Sequence, residues 1–478
     1  MSRMSEQEPR ASHDSGTPEN LLRFMMTGWA TPPQTPAARI EGAERFAARR
    51  EALRAAFPGE TLIVPTGHEK TRANDTTYRF RPGSDFYYLT GNAEPDNVLV
   101  LHPGGAVLYV EPNPGKTDAT FFTDRAKGEL WVGPRLGLQS TAERFGIPTK
   151  GLPELGEDLS VLLAGGAPWR AIRGIDPVLD AALAATFPSQ PERDAALATA
   201  LSEQRLIKDE LEVRELRRAI AATHRGFDDV VRALPSAKTE RYVEGVFGLR
   251  ARTDGHDVGY GTIAASGPNA CILHWTRNDR PIGEGELLLL DAGVEAETLY
   301  TADVTRTIPV GGRFSPEQRA IYELVLAAQE AAFAECAPGK DFLDPNRAAM
   351  RVLAHGLERL GILANAEEAL RDENQFYKRY SLHNVSHMLG LDVHDCAQAR
   401  AEAYKFGRLE PGMVLTVEPG LYFQPDDLTV PARYRGIGVR IEDDVLITET
   451  GVDILSAAIP RQTDEVENWI TSARALSR

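Results

Sequence analysis

Three of the chain's ten histidines lie within the run SLHNVSHMLGLDVHD at 381–395, with His383 and His387 four residues apart and His394 seven further on. Four carboxylates sit in strand-like, apolar surroundings: Asp291 after four leucines in LLLLDAG, Asp303 in YTADVTRT, Glu418 in LTVEPG and Glu442 in GVRIEDDVLIT. A buried charge is costly unless it is paired or bound to metal. Taken singly, each acid is most simply an arginine's partner, and Arg306 and Arg440 are available for that. Taken with the histidines, several carboxylates and one or two imidazoles make a hard, electron-rich cage suited to two divalent cations such as Mn²⁺, Co²⁺ or Zn²⁺. A dinuclear centre of that kind generates a nucleophile from water at neutral pH, so the implied chemistry is hydrolysis. Spacing leaves open which ring binds metal, because the i, i+4 offset suits a helix while LGLDVH alternates like a strand. The isolated His102, His224 and His355 read as ordinary core or surface residues.

These groups need a scaffold, and the chain supplies two patterns. From about Ala38 a helical segment, RIEGAERFAARREALRAAF, precedes the short β-branched runs TLIVPTG, NVLVLH and AVLYVEP, which together predict an α/β domain. The aromatic run YRFRPGSDFYYLTG, 78–91, is expected to be half-buried strand or to face a ligand, the first of these for most of its aromatics. Near Glu203 the pattern changes: Val213, Leu216, Ile220, Phe227 and Val231 recur at helical spacing and predict a long amphipathic helix. Ser315, Pro316 and Gln318 form a helix start with a capping box, Asp344 with Pro345 repeats its first two elements, and Gly361 is a C-terminal stop. Strand-like runs lie between and after these helices, so the C-terminal unit is α+β. The domains are therefore expected at 36–204 and 205–478, after a flexible tail and arm at 1–35. Within that arm, LLRFMMTGW is too short to span a bilayer and is expected to dock on the surface.

Composition narrows the function class. At 478 residues the chain can bury two cores. A net charge of -16 opposes binding to nucleic acid or to an anionic membrane, and no basic run offsets it. Cys271, Cys336 and Cys396 are widely spaced and form no CxxC, which fits a reducing cytoplasm rather than a disulfide framework. The opening MSRMSEQEPRASHDSGTPEN has neither the apolar core of a secretory signal nor the acid-poor character of a transit peptide. Cys396, beside DVHD, is expected to pack passively rather than to react.

Five separated motifs, NACILHWTRND, LLLLDAGVEAETLYTADVTRTIPV, SLHNVSHMLGLDVHD, LEPGMVLTVEPGLYF and YRGIGVRIEDDVLITETG, resemble in order and spacing the aminopeptidase P family of Xaa-Pro aminopeptidases. The resemblance runs from about Pro36 to the C-terminal region and includes GSDFYYLTG and LWVGPRLG. It implies a creatinase-like α/β N-terminal domain and an α+β catalytic domain of the pita-bread fold. It also implies that Asp291, Asp303, His387, Glu418 and Glu442 are the metal ligands, with Asp303 and Glu442 bridging two ions, Asp291 holding one, and His387 with Glu418 completing the other. His274, His383 and His394 become substrate-facing groups.

In such enzymes a bridging hydroxide attacks the carbonyl of the residue before proline, Glu418 shuttles the proton, and His394 helps stabilise the oxyanion. The substrate's amino terminus would bind the ion held by Asp291, which limits cleavage to one residue. Tyr260 and Arg440 align with active-site positions, and Arg440 could equally be a structural ion pair. Trp131 matches a residue that closes the pocket from a neighbouring subunit, which implies a homo-oligomer. Manganese is the family's expected metal. Where members often carry glycine after the first histidine of the run, this chain has Asn384, a departure on the substrate side. Two other readings compete: a prolidase confined to Xaa-Pro dipeptides, and a non-catalytic peptide-binding module, which the full set of ligands disfavours.

Overall fold

The computed structural model describes residues 16–30 and 36–476, so the expected tail at 1–15 and the proline-rich stretch at 31–35 lie outside the described residues. The chain divides into two compact units, Met1–Ala200 and Leu201–Arg478. No described helix is long and apolar enough to cross a membrane.

The first unit is built on a five-stranded mixed sheet in the order 149–151, 105–110, 98–102, 61–65, 169–171. Thr61–Pro65 pairs antiparallel with Val98–His102, which pairs antiparallel with Gly105–Val110, while Thr149–Gly151 and Trp169–Ala171 join in parallel. The three runs read as strands are strands, and Ala43–Ala56 is the expected helix. The aromatic run departs from expectation: Ser84–Thr90 is a short helix that buries Phe86, Tyr87, Tyr88, Leu89 and Thr90, and Gly91 closes it at φ 67°. The arm forms a helix, Glu19–Met25, followed by Trp29, whose ring lies 6.2 Å from that of Phe122 and 4.4 Å from Lys116 Nζ.

The second unit begins with the long helix Glu210–Ala233, whose capping box joins Asp209 and Glu212 and whose apolar face buries Leu216, Ile220, Phe227 and Val231. Its sheets are antiparallel and fragmented. One has the order 304–309, 287–292, 263–266; another has the order 414–417, 443–447, 452–454; Gly420–Tyr422 pairs with Gly438–Arg440. The helices Pro316–Phe333 and Asp344–Arg359 pack on them with a continuous apolar core. Ser315 and Gln318 make the capping box as read. Asp344 does not act as the N-cap: Leu343 holds that position and Asp344 is the first helical residue. Its carboxylate is engaged instead by the Asp341 N–H at 3.0 Å and by Arg347 at 2.6 Å. Gly361, at φ 74°, does follow the helix, and the Ile362 N–H closes back on the Leu357 carbonyl.

Candidate metal centre

The four acids come from strand ends. Only Asp291 lies inside a strand, Leu287–Ala292, where it faces Thr305 on one side and Ile263 on the other. Asp303 precedes Val304–Pro309, Glu418 follows Val414–Val417, and Glu442 precedes Asp443–Ile447. A side chain at a strand end can leave the pleat and turn toward a shared centre while the apolar strand fixes its backbone. The backbone N–H of Glu442 donates to the Thr305 carbonyl at 3.1 Å, and that of Glu418 to the Val385 carbonyl at 2.8 Å, which locks the two acids to the neighbouring segments.

The histidine run is neither helix nor strand. It runs beside Val414–Val417, joined by the Met388–Leu415 bridge and by the Thr416 N–H donating to the His387 carbonyl at 3.0 Å. This placement gives the three rings different surroundings. His387 turns Nδ1 to the Met388 carbonyl at 3.2 Å and leaves Nε2 facing Asp303 at 3.3 Å and Glu418 at 3.5 Å. His394 meets the His387 ring edge to face, with centroids 4.5 Å apart. His383 places Nε2 2.8 Å from the Tyr422 hydroxyl and Nδ1 3.5 Å from Glu418 Oε2. His274 is exposed and lies within electrostatic reach of both His383 and His394. Asn384 is exposed, and its carbonyl contacts His383 Nδ1 at 2.9 Å.

Charge crowding dominates the interior. Asp303, His387 and Glu442 bring one ligand atom each within 4.8 Å of one another. The Tyr260 hydroxyl lies 2.6 Å from Asp291 Oδ1 and 2.5 Å from Asp303 Oδ1, yet it has one proton to give. Burial pushes the Glu442 carboxyl well above its ordinary value, and the neighbouring Asp303 and Glu418 push it further. Burial likewise raises Asp291 against the pull of Arg440, and raises Glu418 to about 7 against His387 and Arg440. For His387, burial opposes the charged ring, but Asp303 and Glu418 outweigh it and lift the imidazole to about 9. The carboxyl shifts come first from burial, while the push of Asp303 and Glu418 on Glu442 and their lift of His387 express a surplus of buried negative charge. Arginine does not absorb it: Arg306 is spent on Asp443 at 2.8 Å, and Arg440 reaches only Asp291 among the four acids, at 2.5 Å. An oxygen-rich set with one imidazole and excess negative charge fits divalent cations.

Two supporting residues were not singled out by the sequence. Thr305 Oγ1 donates to Glu442 Oε2 at 2.5 Å and accepts from Arg440 Nε at 3.1 Å. The Tyr422 hydroxyl accepts from Arg440 Nη1 at 3.0 Å and contacts His383. Their only signal is position, two residues beyond Asp303 and four beyond Glu418. Trp131 belongs to the first unit, where its Nε1 donates to the Phe122 carbonyl at 2.8 Å, Arg125 stacks on its ring, and 48% of its surface is exposed.

Residues 214–449 match metallopeptidase family M24, and residues 46–167 match the aminopeptidase P N-terminal domain. Xaa-Pro aminopeptidase 1 of Streptomyces coelicolor is 50% identical over 465 residues, covering 96% of this chain and 93% of its own. Xaa-Pro aminopeptidase of Escherichia coli is 35% identical, covering 90% and 98%. Among solved structures, aminopeptidase PepP of Pseudomonas aeruginosa superposes with a TM-score of 0.82 at 35% identity, covering 91% of this chain and 99% of that one. A glutamate-to-alanine variant of E. coli aminopeptidase P, solved in complex with substrate, gives 0.81 at 33% identity, covering 92% and 100%. Family M24 enzymes are metallopeptidases, which accounts for the crowded carboxylates, and full-length identity at this level places the chain in the aminopeptidase P family.

Proposed function

We propose that this protein is a metal-dependent Xaa-Pro aminopeptidase, which releases the first residue of peptides whose second residue is proline. The observation that carries the reading is the convergence of Asp291, Asp303, His387, Glu418 and Glu442 in one buried, anion-rich centre. These five would hold two divalent ions. Mn²⁺ is the ion that the family resemblance leads one to expect, and the ligand types also suit Co²⁺ and Zn²⁺. When bound, the ions supply Lewis-acid polarisation and a nucleophile from water at neutral pH.

The protein's own groups supply the rest. Glu418, buried beside His387 and Arg440, can take a proton from the attacking water and return it to the departing proline nitrogen. Burial and the nearby Arg440 hold His383 near 4, and burial also lowers His394, so both rings are neutral at pH 7. Neutral imidazoles can donate to the substrate carbonyl as its oxygen gains charge, with His274 completing the ring of donors. Tyr260 and Arg440 restrain Asp291 and Asp303. Asn384, beside His383, bears on which peptides are accepted.

The same reading includes a homo-oligomer, supported by the exposed Leu130, Trp131 and Val132, in which Trp131 would close the pocket of a neighbouring subunit. It also places the enzyme in the cytoplasm, supported by three free, buried cysteines. The test compares Xaa-Pro with Xaa-Pro-Yaa-Zaa peptides, using metal-stripped protein before and after adding Mn²⁺, with Asp303→Ala as control. Metal-dependent release of the first residue from the longer peptides, lost in Asp303→Ala, is expected. Cleavage of dipeptides alone would reassign the protein as a prolidase, and absence of cleavage with metal bound would remove the proline specificity.

A further inference from the structure

Behind the histidine run lies a buried ionic cluster that none of the groups above includes. Asp395, 1% exposed, accepts from Arg205 Nε at Oδ1 (3.0 Å) and faces Lys208 Nζ at Oδ2 (3.4 Å). Lys208 Nζ has no solvent exposure and also donates to the Arg205 carbonyl at 2.7 Å. Lys208 itself is fastened to the turn before Val414–Val417, its N–H donating to the Gly412 carbonyl at 2.8 Å. Such a cluster costs desolvation on every member, so its geometry must be tightly determined to persist.

The cluster leads to the metal centre through the backbone. The Asp395 N–H donates to the Met388 carbonyl at 3.0 Å, and that same oxygen contacts His387 Nδ1 at 3.2 Å. A carbonyl has two lone pairs, so it can hold both donors, and holding the Nδ1 proton keeps Nε2 turned toward Asp303 and Glu418. Asp395 Oδ1 additionally accepts from the Cys396 N–H at 2.8 Å, where the backbone takes a left-handed φ of 62° that a cysteine rarely adopts. The turn is packed without slack: a Cβ at Gly390 would lie 2.1 Å from Asp395 Oδ2 and 3.0 Å from Lys208 Cε. The Gly390 carbonyl accepts from the Thr301 N–H at 3.0 Å, two residues before Asp303.

We propose that Asp395, clamped by Arg205 and Lys208, is a positioning residue that fixes the Met388 carbonyl and through it the orientation of the His387 imidazole, an inference that rests on His387 being a metal ligand. The strand Val414–Val417 fixes the backbone of His387 and Met388, and the clamp adds a hold on the carbonyl toward which the ring turns.

The test uses the full-length protein carrying Asp395→Asn, Lys208→Met or Gly390→Ala. Mn²⁺ affinity is read by competition with a chelating dye, hydrogen exchange is read over 383–396 in the metal-free state, and kcat and KM are read with a proline-second peptide. Asp395→Asn is expected to weaken Mn²⁺ binding roughly 10- to 100-fold, the range for lost partners of a ligating histidine. It should lower kcat more than it raises KM and speed exchange chiefly in 383–396. Gly390→Ala, which displaces the Asp395 carboxylate, should act in the same direction, and Lys208→Met more weakly because Arg205 remains. If Asp395→Asn does not fold, the other two variants carry the test. A folded variant that melts lower but keeps Mn²⁺ affinity and kcat within about twofold would overturn the proposal. Failure of the wild type to bind Mn²⁺ would instead overturn the ligand assignment, while exchange over 383–396 would still show whether the clamp orders the run.

Discussion

Arg440 uses three different nitrogens on three different partners: Nε on Thr305, Nη1 on Tyr422 and Nη2 on Asp291. Through Thr305 it touches Glu442, and through Tyr422 it touches His383, so one planar group sets the spacing between an acid, a second acid and the His383 ring. Lysine keeps the charge but offers one nitrogen on a flexible stem, and cannot reproduce a rigid fork. Arg440→Lys is expected to lower kcat/KM roughly 10- to 100-fold, the scale seen when outer partners of metal ligands are lost. Steady-state kinetics beside a thermal melt decide the matter. A lower melting temperature with unchanged kinetics would make Arg440 a structural ion pair only. At this scale the sequence was informative where a residue's cost announces it: carboxylates among leucines demand a partner. It was silent about Thr305 and Tyr422, because a threonine in a strand and a tyrosine between Leu421 and Phe423 are common and carry no such cost.

The helix Pro316–Phe333 joins the two ends of that legibility. Its start was readable because the capping box is local chemistry, with the Ser315 hydroxyl accepting from the Gln318 N–H at 3.2 Å. Its contribution to the site was not readable: Gln329 Nε2 faces the carbonyls of Val417 and Ile441, each one residue before a proposed ligand, and Asp443 Oδ2 at 2.9 Å. The two ends of the helix should therefore separate under mutation. Ser315→Ala is expected to cost about 1 kcal/mol of stability and leave kcat/KM unchanged. Gln329→Met, which strips donors from the backbone beside Glu418 and Glu442, should lower both stability and activity. Denaturant melts with parallel kinetics check the pair, and a loss of activity in Ser315→Ala would contradict this division. Elements whose form is set by neighbours rather than by period were the ones misread. Ser84–Thr90 buries its last five residues in succession, so it shows no amphipathic repeat, and its aromatics suggested a strand. The run 381–395 follows the adjacent strand and the Asp395 cluster, and no periodicity encodes that.

Beside the buried pairs Arg306–Asp443 and Arg440–Asp291 of the second unit, the first unit has an ionic tie at a half-exposed position. There His68 joins segments distant in the chain, with Nδ1 against Asp96 and Nε2 2.7 Å from Asp176, the N-cap of the helix Pro177–Thr186. Hydrogen bonds to Asp176 and Asp96 raise the ring to about 10 against the opposing effect of burial. Asp176 is lowered, with burial opposing and His68 prevailing. A histidine whose pKa is higher folded than unfolded adds stability that is fully present below the unfolded value of 6.5 and is lost as pH rises through about 10. The aspartate's share runs the other way: it is present above the unfolded value of 3.8 and is lost as pH falls below it. The tie should therefore be strongest between about pH 4 and 6.5 and fade toward pH 10. With a third of its side chain exposed, His68 should also feel salt. The expected outcome is that the difference in urea midpoint between wild type and His68→Gln is largest near pH 6, shrinks steadily to pH 10, and is smaller at 1 M salt than at 0.1 M. A difference that stays constant from pH 6 to 10 would mean that the ring acts through packing and neutral hydrogen bonds, with no contribution from its charge.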